Sequence, residues 1–132
     1  MSNELAQAAA IREAFDQIEE SYEFMVAYAQ QGRTQEVEEG GGESQIRRFL
    51  KRFVAAMDDI AKAAEPGLGG KDGAAFTQRF NSDLATMRSV IAVLLANPNI
   101  SSFMIDNTLG LMAIRAFMSD MFFIDTAVLP TR

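Results

Sequence analysis

The sequence predicts an all-α protein, a four-helix up-down-up-down antiparallel bundle that associates through its C-terminal helix. Two observations carry this expectation. Apolar residues recur at alternating three- and four-residue steps in four long stretches, and glycine and proline cluster between those stretches. With 132 residues, of which 48% are hydrophobic, one continuous core is feasible without disulfide or metal staples.

The first helix is expected over about 3–31, where Ala8, Ile11, Phe15, Ile18, Tyr22, Met25 and Ala29 form one stripe. Gly32 offers a left-handed C-cap, and residues 33–43 read as an acidic, glycine-containing connector, mobile around Gly40-Gly41-Gly42. Ser44 suits the N-cap of a second helix over about 44–65, with Ile46, Phe49, Leu50, Phe53, Met57, Ile60 and Ala64 on its stripe and Pro66 as its stop. The glycine-rich stretch Pro66–Gly73 is a loop in which Asp72 can cap the next helix. That third helix, about 73–96, carries Phe76, Phe80, Leu84, Met87, Ile91 and Leu94, and Asn97-Pro98-Asn99 turns the chain. A fourth helix follows over about 101–127, with Gly110 a weak spot costing up to about 1 kcal/mol relative to Ala.

Read as one continuous helix, this last segment has two apolar faces. Ile105, Leu109, Met112, Ala116 and Phe123 form one, and Met104, Leu111, Ile114, Met118, Met121 and Phe122 the other, separated by Thr108, Arg115, Ser119 and Thr126. A helix that is apolar nearly all round needs cover on more than one side. The second face is therefore the candidate contact surface for a second copy or a protein partner, and a central position among neighbouring helices is the competing account. Half of the eight methionines lie here, and flexible thioethers suit surfaces that repack around partners. Phe24 and Tyr28, four residues apart and off the main stripe of the first helix, form a second candidate surface, with packing beneath the connector as the alternative.

Charged residues in unusual places add two expectations. Asp83 and Arg115 stand at similar depths on either side of the turn at Pro98, so a partly buried Asp83–Arg115 ion pair is expected to fix the register of the last two helices. Arg47, Arg48, Lys51 and Arg52 crowd the first turns of the second helix, where the macrodipole disfavours them. Compensation by the acidic face of the first helix or by Glu36, Glu38 and Glu39 is the plain reading, and an anion or RNA-phosphate patch the functional one.

Composition narrows the chemistry. The chain has no Cys and no His, which removes thiolate and imidazole nucleophiles, bases and metal ligands and leaves an all-carboxylate metal site as the remaining option. Its carboxylate pairs fall on predicted solvent faces, and neither glycine-rich stretch forms a phosphate-binding motif. A net charge of −6 opposes nucleic acid and anionic membrane. The N-terminal MSNELAQAAA lacks the pattern of a secretory signal, and no apolar run reaches spanning length, so a cytoplasmic protein is expected. The functional expectation is a non-enzymatic interaction module, a subunit, adaptor or chaperone without cofactor or metal, acting as a homodimer or on a protein partner. A small-molecule sensor or carrier with an apolar pocket, and an RNA-binding accessory subunit using the basic quartet, are the alternatives.

Overall fold

The computed structural model describes residues 3–38 and 40–131. These residues are helical throughout their regular structure, in five α-helices rather than the expected four: α1 (Asn3–Ala29), α2 (Gln45–Ala63), α3 (Ala74–Leu95), α4 (Ser102–Leu109) and α5 (Met112–Phe123). A 3₁₀ turn over Gly70–Gly73 leads into α3, and a π turn over Ile124–Val128 follows α5. No helix among the described residues is long and apolar enough to cross a membrane.

Local signals place the first three helices within two residues of expectation. Gly32 has φ +66°, the left-handed conformation that glycine adopts without a Cβ penalty and that ends α1. Ser44 caps α2, its hydroxyl accepting from the Arg47 N–H at 3.4 Å, and Ser101 caps α4 by accepting from the Met104 N–H at 3.2 Å. Asp72 does not cap α3. It lies inside the 3₁₀ turn, and Gly73 is the N-cap, with no side-chain cap bond. Thr77 does that local work instead, donating to the carbonyls of Leu68 and Gly73 and accepting from the Leu68 N–H.

Neighbouring helices run antiparallel. Gln7 near the start of α1 donates to the Ala63 carbonyl at the end of α2, Arg47 at the start of α2 donates to the Leu95 carbonyl at the end of α3, and Phe76 at the start of α3 meets Phe123 at the end of α5. α4 leans on α1 and α5 on α3. The core gathers Ile11, Ile18 and Met25 of α1, Leu50, Phe53, Met57 and Ile60 of α2, Phe80, Met87 and Ile91 of α3, and Ile105, Ile114, Phe117 and Ile124. At its centre Phe117 packs between Phe53 and Phe80, with ring centroids 6.1 and 5.9 Å away. Such aromatic pairs add about 0.5–1.5 kcal/mol beyond the area they bury.

The expected single helix over 101–127 is broken at Gly110 and Leu111. Thr108 Oγ1 turns back to the Met104 carbonyl, the N–H groups of Gly110 and Leu111 close α4 onto Asp106 and Thr108, and Leu111 is extended at φ −70°, ψ 141°. The break explains the apparent excess of apolar surface. Counted at about 100° per residue through an unbroken helix, Ile114, Met118 and Met121 would stand on the side opposite Ile105. The extended residue resets the phase, so that Ile105 in α4 and Ile114, Met118 and Met121 in α5 all turn toward the same core and are buried. The two apolar faces are used one after the other along the chain.

Candidate functional site

The phase reset decides which apolar side chains reach the surface. Of the expected contact residues, Ile114, Met118 and Met121 are core, a correction to their expected role, and Met104 is half-buried. Leu111 and Phe122 remain exposed, at 42% and 55%. Met112 and Phe123, assigned by the unbroken count to the core face, are instead outward at 76% and 49%. Within α5, Met112, Ala116, Ser119 and Phe123 follow one another at steps of four, three and four residues and so share one outward line.

Leu111, which precedes Met112, borders the outer flank of α3, where Ser82, Ala85, Thr86, Ser89, Val90 and Val93 line a groove of about 550 Å³ with Leu94, Thr108 and Leu111. None of these nine residues is ionisable, and the side chains on the α3 floor are small. An uncharged, small-residue helix flank next to projecting Leu and Met side chains is the geometry that lets another helix approach closely. Phe103, exposed on α4, adds to the apolar surface of the C-terminal half.

Phe24 and Tyr28 do not form a surface patch. Tyr28 is buried and donates its hydroxyl to the Ile100 carbonyl at 2.6 Å, and Phe24 stacks on Phe49 with centroids 4.2 Å apart and rings 8° from parallel. Packing beneath the connector is the correct account, since Val37 and Arg33 border the same small cleft. Burial pushes the Tyr28 phenol above its ordinary value, with the Glu36 charge acting in the same direction and Arg33 and Arg47 opposing it.

Residues 33–38 of the connector expected to be mobile are tied down by bonds to other parts of the chain. Glu36 accepts from Arg47, from the Ser44 hydroxyl and, at 2.7 Å, from the Ile100 N–H. Asn99 brackets the same segment, its Oδ1 accepting from the Glu36 N–H and its Nδ2 donating to the Thr34 carbonyl. Glu38 and Ser44 form an isolated β-bridge.

Each member of the basic quartet has a local partner. Arg47 holds Glu36 and the Leu95 and Asn97 carbonyls, Arg48 donates to the Glu43 carbonyl, Lys51 pairs with Glu43, and Arg52 pairs with Glu20 while its guanidinium lies 4.8 Å over the Phe49 ring. Compensation within the chain therefore accounts for their position. Glu39, named among the compensating groups, lies outside the described residues.

The expected Asp83–Arg115 pair is absent. Asp83 is bound by Arg79, one turn away on the same helix, at 3.1 Å, and Arg115 is exposed on the flank of α5 beside Tyr22. The side chain of α5 that meets Asp83 is Asp120, five residues beyond Arg115, so α5 differs from the expectation in depth as well as in rotation. Sequence reasoning missed this carboxyl pair because an Asp in an apolar helix looks like a solvated residue until the phase of the helix is known. Burial, and then Asp83 through its hydrogen bond and its charge, push the Asp120 pKa up to about 7, with Arg79 opposing. Neither residue lines the groove described above. Among the described residues no group of three or more His, Cys, Asp or Glu side chains is placed to hold a metal ion.

Comparison of the chain with protein-family models, with curated proteins and with solved structures gives no match in any of the three.

Proposed function

We propose that the protein is a non-enzymatic interaction module that associates with a second copy of itself through the outer face of α3 and α5. The observation that carries this reading is the exposure of Leu111, Met112 and Phe123 on and after the α4–α5 break, with Leu111 bordering an uncharged groove of small side chains. Ridge and groove adjoin at Leu111. Under a two-fold axis, such a face can present its ridge to the partner's groove and receive the partner's ridge in return.

With a net charge of −6, association depends on the apolar face and not on electrostatic attraction between copies.

Because the chain contains no cysteine, a single introduced thiol reports on this surface alone. In a Met112→Cys variant, alkylation is expected to slow as protein concentration rises, whereas the thiol of a Lys62→Cys variant, on α2, keeps a constant rate. Equal, concentration-independent rates at both positions would reject the proposed contact surface.

A further inference from the structure

The seam between α3 and α5 is apolar at its core layer, where Phe80 stacks on Phe117, and at its end, where Phe76 meets Phe123 edge-on. Beside these rings two carboxyl groups meet. Asp83 is largely shielded, with 15% of its side chain exposed, and is held by the Nε of Arg79 at 3.1 and 3.3 Å from its two oxygens. Asp120 Oδ2 is sealed from solvent and has no hydrogen-bond donor within reach. As a carboxylate, then, Asp120 would hold a buried oxygen without a donor and face a second acceptor, a combination that costs several times an ordinary hydrogen bond. With a proton on Asp120 the same contact becomes a hydrogen bond donated to Asp83.

We infer that one proton shared between Asp120 and Asp83 latches α5 onto α3, so that the seam is closed when Asp120 is protonated and loosened when it ionises. The break at Gly110–Leu111 gives this latch a mechanical consequence, since α5 is joined to α4 by one extended residue and does not continue its hydrogen-bond ladder.

The charged surroundings are few. From α3, Asp83 and Arg79 act on Asp120, while Arg88 on the same helix is engaged by Asp58 of α2. α4 carries Asp106, the π turn carries Asp125, which is bound by Arg12 at 2.8 Å, and on α5 itself Arg115 is exposed. The position of the Asp120 pKa, near 7, puts the transition close to neutrality. The sign follows from linkage: a carboxyl whose folded pKa lies above its unfolded value favours the folded seam at low pH, and that contribution is lost as pH rises from the unfolded value through the folded one.

The test is a carbon-13 NMR titration of the Asp side-chain carboxyls in the full chain, run together with amide hydrogen exchange along α5. Asp120 is expected to titrate near neutrality, with α5 amides exchanging several-fold faster above its midpoint after correction for intrinsic rates. In Asp83→Asn the Asp120 midpoint should fall toward the ordinary carboxylate range. In Asp120→Asn, which keeps a donor at all pH values, the pH-dependent loss of α5 protection should disappear. A midpoint near 4 for Asp120 in the wild-type chain overturns the inference, a readout that does not require either variant to fold. So does an Asp120 midpoint that stays near neutrality in Asp83→Asn, because burial alone would then account for it.

Discussion

Arg47 grips Glu36 with two nitrogens, Nε to Oε1 at 2.8 Å and Nη2 to Oε2 at 2.9 Å, while the same guanidinium reaches the carbonyls of Leu95 and Asn97. One ion pair thus ties the connector, the start of α2 and the α3–α4 turn together. Truncating Arg47→Ala should cost about 2–3 kcal/mol in a urea denaturation, because it leaves the largely buried Glu36 charge without its counter-ion, and the Leu95 and Asn97 carbonyls without the guanidinium donor. Burial acts to raise the Glu36 pKa, but the bonds from Arg47, Ser44 and the Ile100 N–H, with the Arg47 charge, outweigh it and hold the group below its ordinary value. Its contribution is therefore present above the unfolded pKa and lost as pH falls through the lowered folded one. In Glu36→Gln this acid-side loss of stability should shrink, as read from denaturation midpoints between neutral and acid pH.

Two glycines should respond to alanine in opposite directions. At Gly73 a Cβ would stand 1.9 Å from the Leu68 carbonyl oxygen, which Thr77 holds in place, so Gly73→Ala should destabilise by about 1–3 kcal/mol. At Gly110 φ is −79° and the nearest atom to a Cβ is the Asn107 carbonyl oxygen at 3.4 Å. Gly110→Ala should therefore be neutral or stabilising by up to about 1 kcal/mol. Thermal denaturation of both variants checks the pair.

The placement of α5 separates Arg115 from Phe117. Arg115→Ala, at an exposed position, should change stability by no more than about 0.5 kcal/mol. Phe117→Ala, between Phe53 and Phe80, should cost about 3–5 kcal/mol. A large loss at Arg115 in chemical denaturation would contradict the rotation assigned to α5.

Much of the fold was legible because it is written locally. The stripes of α1, α2 and α3, the Ser44 cap and the glycine at 32 act within one or two turns of the residues that encode them. What escaped the sequence is non-local. Nothing near Glu36 reveals that Arg47 and the Ile100 N–H will meet it, so an acidic glycine-bearing segment reads as a tether. Nor does Gly110 by itself distinguish a tolerated weak spot from a break. Burying Ile105 and Ile114 in the same core requires the break, and that condition appears only once α4 leans on α1 and α5 on α3. The expected contact face inherits the error, because the unbroken count turned the wrong side chains outward. Leu111 and Phe122 stayed outside, while Met112 and Phe123 replaced Ile114, Met118 and Met121.

The account therefore turns on the outward line that begins at Met112. Light scattering of the eluting protein, measured across micromolar concentrations, tests it most directly when the wild-type chain is compared with Met112→Glu. The prediction is a wild-type mass that rises with concentration toward twice that of one chain, and a variant that keeps the one-chain mass with an unchanged helical circular-dichroism spectrum. Equal masses for the two proteins at every concentration, whether both monomeric or both associated, would contradict it.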